Sequence, residues 1–234
     1  MIEQETNSEH RCKKKAKRRR VRIGIWLLFD VIVLVILLLL LTHKPSDYIP
    51  VKAVGDGTVS KYLTHELATD FYNNVQVGEP FDLIVREEGI ADIISHGKWP
   101  FIADGIAIEA PTVYFGGAGI KVIGLVNYRG VNFAVTVFVE PSVDEAGMLH
   151  LELKRVKLGV VNITLAAKII AKQMYQSHLS VAGRAGNEPG ARVAGALLGG
   201  EAFVPVFNVD GKAVRIGEVK MLNRVIIIRF LPEK

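Results

Sequence analysis

The sequence predicts an α+β protein: a curved, mostly antiparallel sheet with amphipathic helices packed on one face, preceded by a single transmembrane helix. Three observations lead there. Residues 23–41 read IGIWLLFDVIVLVILLLLL, 19 residues with one charge. Residues 106–157 alternate apolar and polar side chains with a period of two, the signature of strands with one buried face. Two further stretches repeat apolar residues every three to four positions, as helices do. The boundaries that follow are a basic tail at 1–22, a transmembrane helix at 23–42, a linker at 43–57 and an extracytoplasmic α+β domain at 58–234.

The 234 residues carry a formal net charge of +5. Residues 1–22 hold nine basic and three acidic side chains, so the tail alone is +6 and the rest of the chain is −1. The basic balance belongs to the tail, which argues against nucleic-acid binding by the folded part. One cysteine, Cys12, excludes an internal disulfide framework and a Cys-built zinc site. It reads as an incidental reduced thiol or a site of acylation.

A helix over 23–41 spans roughly 28 Å, close to the hydrocarbon core of a bilayer. Lys13, Lys14, Lys15, Lys17, Arg18, Arg19, Arg20 and Arg22 crowd its N-terminal side, and only Lys44 follows closely. That asymmetry predicts a cytoplasmic N-terminus and an exported C-terminal domain. The same cations are candidates for contact with anionic headgroups, or serve only as the topology signal. The apolar run exceeds the core of a cleaved signal peptide, so an uncleaved signal-anchor is expected. Asp30 within the span is costly there and is the candidate for contact with a partner transmembrane helix, or is simply protonated.

Pro45, Pro50, Gly55 and Gly57 mark the linker. Thr58 is the expected cap of a helix over 58–73, with Val59, Leu63, Leu67 and Phe71 as its buried stripe. A strand over 81–86 and a short helix over 87–96 follow, the latter with Ile90, Ile93 and Ile94 inward; residues 97–101 read as a turn. Strands are expected near 106–115, 119–128, 131–140 and 148–157, with turns at 128–130 and 144–147. Thr164 begins a second helix to about 179, with Leu165, Ile169, Ile170 and Met174 inward and Lys168 and Lys172 outward. A Gly-rich loop over 180–190, a short helix near 191–198 and strands at 213–221 and 224–231 complete the chain.

No catalytic motif survives inspection. Gly117-Ala118-Gly119 begins like a dinucleotide fingerprint but lacks the third glycine and precedes a strand, so it reads as a hairpin turn. The six histidines are dispersed without metal-ligand spacing. Neither a cofactor nor a metal is expected. Asn162-Ile163-Thr164 is a formal glycosylation sequon, better explained by the start of the second helix.

The segments FDLIVREEGIADII, IKVIGLVNYRGVNFAVTVFVEPSVDEAGMLHLELKRVKLGVVNITLAAKII and DGKAVRIGEVKMLNRVIIIRFLP together resemble bacterial membrane-anchored proteins of the YpmS type and the wider tubular lipid-binding (TULIP-like) group. The resemblance implies a curved sheet wrapped around a long helix with an apolar groove for acyl chains. It brings no catalytic residues. In this chain the groove candidates are Phe133, Val135, Val137, Leu149, Leu151 and Leu153 on the sheet and Leu165, Ile169, Ile170 and Met174 on the helix. The expected function is a membrane-anchored envelope protein that is not an enzyme and binds or passes a lipid or lipid-linked molecule. The alternative is an interaction subunit that docks partner membrane proteins.

Overall fold

A computed structural model of the chain describes residues 25–55, 57–103, 105–181, 192–193 and 195–233. Helix α1, Ile25–Thr42, is long and apolar enough to cross a membrane. It forms a unit of its own, separate from the compact unit that begins at Thr42. The basic tail with Cys12, and most of the expected Gly-rich loop, lie outside the described residues.

Among the described residues the second unit is α+β, with eleven strands in two antiparallel sheets. The smaller sheet has the order β1-β11-β10-β9: β1 is Phe81–Arg86, β9 Val206–Val209, β10 Lys212–Leu222 and β11 Val225–Pro232. The larger has the order β2-β3-β5-β6-β7-β8, with β4 also paired to β5. Its strands are β2 Phe101–Ala103, β3 Ile106–Ile108, β4 Thr112–Gly116, β5 Gly119–Tyr128, β6 Val131–Val143, β7 Leu149–Leu158 and β8 Val161–Asn162. The single strand expected over 106–115 is therefore two, interrupted before Thr112 by Pro111, which has no N–H to give a ladder. Gly117-Ala118 is the hairpin turn between β4 and β5. Gly119 sits at φ +143° where a Cβ would strike the Val139 carbonyl, so only glycine fits.

Two β-bulges shift the alternation. In β7, Phe138 pairs with Arg155 and Val139 with Leu153, leaving Lys154 as the extra residue. The apolar series Leu149, Leu151, Leu153 thus continues as Val156 and Leu158. In β10 the shift falls at Gly217, and Val214 and Ile216 continue as Val219 and Met221. Both bulges keep apolar side chains on one face where strict alternation would turn them out.

The core forms where the small sheet meets one end of the large one. Leu83, Val85, Val214, Ile216, Ile226 and Phe230 pack with Phe115 and Leu149 from the large sheet. Val75 closes it from helix α2, Ala68–Val77, together with Phe71, whose ring meets Phe230 edge-on at 5.0 Å. A π-helical turn, Tyr62–Leu67, leads into α2. Its wider turn puts Tyr62 and Leu67 on the side that Phe71 and Val75 continue, a five-residue step followed by four-residue steps. The cap is Ser60 rather than the expected Thr58: its Oγ accepts the Leu63 N–H at 3.1 Å. Val59 precedes the helix and is exposed, so it does not join the stripe.

Helix α3, Glu87–Ser95, follows β1 directly. Gly89 lies against the ring of Tyr62, which occupies the space a Cβ would need. Tyr62 is 7% exposed; its hydroxyl accepts the Arg86 N–H at 2.9 Å, and the Arg86 guanidinium lies 5.4 Å from the ring centre.

The segment expected as a linker is partly strapped to the domain. Asp47 pairs with Lys121 and accepts the Tyr114 hydroxyl at its carbonyl. Ile49 C=O accepts the Thr112 hydroxyl at 2.5 Å, and Val54 N–H donates to Ser95 C=O at 2.8 Å. Lys121 holds the Asp47 carboxyl below the usual carboxylate range.

Candidate functional site

Directly paired residues share a face of the sheet, so the ladder defines the apolar surface of the large sheet row by row. Val139 stands between Ile120 and Leu153, Val137 between Val122 and Val156, and Val135 between Gly124 and Leu158. Phe101, Ile108, Val126 and Phe133 form another row, and Ala103, Ile106, Tyr128 and Val131 the last. The six sheet candidates do lie on one face, but they divide. Leu149 is buried in the core and Leu151 packs against it, so neither belongs to an open groove. Phe133, Val135, Val137 and Leu153 are half-buried. Beyond them the face ends in an exposed apolar lip: Phe101 is 56% exposed, Tyr128 44% and Val131 40%. Arg129 lies 5.3 Å from the Tyr128 ring centre.

Helix α4, Thr164–Val181, starts where β7 and β8 end. Asn162 Oδ1 accepts the Thr164 N–H at 3.0 Å, and the Thr164 hydroxyl oxygen accepts the Val156 N–H at 2.9 Å. Both polar residues of the sequon thus serve the turn.

The expected inward face of α4 is corrected by the structure. Leu165 is 81% exposed, Ile169 60% and Ile170 55%. The helix keeps to the edge of the sheet, against β7 and the Gly195–Gly199 turn, and its less exposed position there is the small Ala167. Lys168 and Lys172, expected outward, line a cavity between α4 and β7. The apolar stripe and the lysines share the helix surface, and the edge-on seat of α4 determines which of them meets the strand. The Met174 side chain lies outside what is described.

That cavity holds about 370 Å³. His150, Leu151, Glu152 and Leu153 of β7 form one wall, Lys168 and Lys172 of α4 another, and Gly199, Gly200 and Glu201 a third. Two of its charged groups, Glu152 and His150, are tied to neighbours. Lys154 hydrogen-bonds Glu152 at 2.7 Å and holds that carboxyl below its usual range; Lys168 adds to the effect. Glu152 and Glu140 in turn push the Lys154 ammonium up. Asp144 takes a 2.9 Å hydrogen bond from the His150 ring, which lowers its carboxyl.

A second cavity, about 580 Å³, opens among Val59, Ser60, Leu63, Ile93, His96 and Trp99. Ser60, His96 and the nearby Asp92 look like a nucleophilic constellation by residue type alone. The geometry assigns them to structure. Ser60 is 1% exposed; its Oγ donates to Asp92 at 2.5 Å while accepting the Leu63 N–H. His96 Nδ1 lies 2.8 Å from the Asp92 carbonyl of its own helix. The Ser60 hydroxyl holds the Asp92 carboxyl below its usual range, aided by the Tyr62 N–H. Ser60 thereby ties the start of one helix to α3. Sequence reading missed this tie because Ser60 and Asp92 lie 32 positions apart.

Among the described residues no group of three or more His, Cys, Asp or Glu is arranged to hold a metal ion. Asp30 lies on α1; the tail cations from Lys13 to Arg22 lie outside the described residues. No family model matches the sequence, and no curated protein matches it.

Proposed function

We propose that this chain is a single-pass, membrane-anchored protein of the cell envelope that is not an enzyme, with its N-terminus cytoplasmic and its domain outside. The domain holds or passes the acyl chains of a lipid or lipid-linked molecule. The observation that carries this reading is the stripe Leu165, Ile169 and Ile170, left exposed beside a sheet whose apolar face runs out past the core to Phe101, Tyr128 and Val131. Full burial of side chains of this size stabilises by about 1.5–3 kcal/mol each. A surface of this kind in an anchored protein suits a ligand with long apolar chains. The candidate membrane helix and the resemblance to YpmS-type and TULIP-like proteins support the same reading. The tail cations serve as contacts for anionic headgroups.

The test is native mass spectrometry of the detergent-extracted full chain with identification of released lipid. Wild-type protein should carry lipid, and Val135→Trp should lose it while remaining folded. A wild-type protein free of lipid under conditions that preserve other lipid adducts would refute the reading. The second reading, an interaction subunit for partner membrane proteins, rests on Asp30, a carboxylate within α1 that a partner helix would satisfy. It predicts co-extraction with a protein partner that Asp30→Leu abolishes.

A further inference from the structure

The outer edge of β7 carries a site of a different kind. Along a strand, successive residues turn their N–H and C=O to opposite neighbours. Leu149 exchanges hydrogen bonds with Phe203, N–H to O at 2.8 Å and the return at 3.2 Å, so its backbone faces away from β6. By the same parity, the backbone groups of Leu151 and Leu153 also face outward. Pro141, opposite Leu151 on β6, fits this parity because that pair exchanges no hydrogen bonds and needs no proline N–H. Past the bulge, Val156 is satisfied again, by the Ile163 N–H and the Thr164 hydroxyl oxygen, both at 2.9 Å. Between these two anchors, Leu151 and Leu153 have no backbone partner on the outer side among the described residues.

The chain that could have continued this pairing packs nearby without doing so. Antiparallel continuation from the Phe203–Leu149 bridge would bring Glu201 opposite Leu151 and Gly199 opposite Leu153. Instead Gly195–Gly199 coils into a π-helical turn, and Gly199, Gly200 and Glu201 line the far side of the 370 Å³ cavity. The opening runs from Leu149 to Val156, which at about 3.3 Å per residue gives room for a strand of roughly five residues. Lys172, on the α4 wall, has no ion-pair partner among the described residues, whereas Glu152 is held by Lys154.

We propose that this cleft takes an extended peptide segment bearing an acidic side chain, added as a strand to the edge of β7 between Leu149 and Val156 and facing Lys172. Backbone donors and acceptors on an open edge are matched by another backbone, and the wall of α4 reads the side chains. The cleft shares Leu153 and helix α4 with the apolar surface proposed for lipid, but it rests on the backbone edge of β7 and on Lys172, so either reading can fail alone.

The test uses the full chain in detergent micelles, labelled with nitrogen-15 leucine, and the capped peptide acetyl-Ser-Val-Glu-Val-Ser-amide. The expected result is saturable shifts of the Leu151 and Leu153 amides. N-methylation of the peptide amides that pair with β7 should weaken binding by about tenfold or more. Lys172→Gln, at an exposed position, should weaken the glutamate peptide severalfold and leave an otherwise identical glutamine peptide unaffected. Unmoved leucine signals at millimolar peptide would overturn the proposal. So would equal binding of the N-methylated peptide, or the same leucine shifts on adding dihexanoyl-phosphatidylglycerol in its place, which would make the cleft a lipid site.

Discussion

Replacing Gly89 with alanine tests the junction of the Tyr62–Leu67 turn, β1 and α3 at one atom. The added methyl would overlap the ring of Tyr62, which also lies beside the Arg86 guanidinium and is pinned to β1 through its hydroxyl. The ring cannot move without breaking its hydrogen bond to the Arg86 N–H. Overpacking of this kind costs about 1–3 kcal/mol, and a buried N–H left unpaired costs about 1–3 kcal/mol more. Alanine in place of glycine inside a helix returns about 1 kcal/mol. The net loss is therefore on the order of 3 kcal/mol, or a fall in Tm of roughly 6–12 °C for a domain of this size. Thermal unfolding followed by near-ultraviolet circular dichroism measures it. Tyr62→Leu should relieve the clash, so the alanine should cost much less in that background, a coupling that a double-mutant cycle isolates. A Gly89→Ala protein as stable as wild type, or an equal cost in both backgrounds, would refute the packing.

Ile170→Asp should leave the domain folded, because Ile170 is more than half exposed, and should reduce bound lipid; collapse of the melting transition would return Ile170 to the interior. Asp92→Asn should lower stability at neutral pH. The folded Asp92 carboxyl is depressed, so its contribution is present above the unfolded value of about 4 and is lost as pH falls through the folded one. The gap in Tm between wild type and variant should accordingly narrow below about pH 4, and a gap that widens there would reverse the assignment. For topology, Asp70→Cys on α2 should react with an impermeant maleimide in intact cells while Cys12 reacts only after permeabilisation; the opposite pattern would invert the orientation.

Local rules made much of the fold legible. The period-two run located β5, β6 and β7, and turn residues fixed the ends of β5. Apolar composition alone marked α1. What escaped were features that depend on distant partners. The bulge at Lys154 is visible as a phase change, Leu153 followed by Val156, which strict alternation does not anticipate. Ser60 is a cap because Asp92 waits 32 positions away. The orientation of α4 failed most instructively. Its apolar stripe is real, but a stripe finds its counterpart only if the helix lies across the sheet, and the turn at Asn162 and Thr164 holds it along the edge. At the candidate site, residue types were legible and partners were not: the lysines of α4 face β7 across a cavity, while the leucine and isoleucines stay exposed.

The strap from Asp47 to Val54 has a mechanical consequence. A domain tethered through its N-terminal end feels any pull on that tether first at Asp47, where Lys121 and Tyr114 hold it, then at Ile49 and last at Val54. Along the chain, these attachments lie in series from the N-terminal end. Each releases slack before the next is strained. Release of all of them frees about seven residues, roughly 25 Å of chain, before force reaches Ser60 and the helix it caps. The strap therefore acts as a compliant element in series with the fold, and its stiffness is set by side chains on β4 and β5 and by the Ser95 carbonyl of α3. Weakening Lys121 would soften the attachment without altering either sheet.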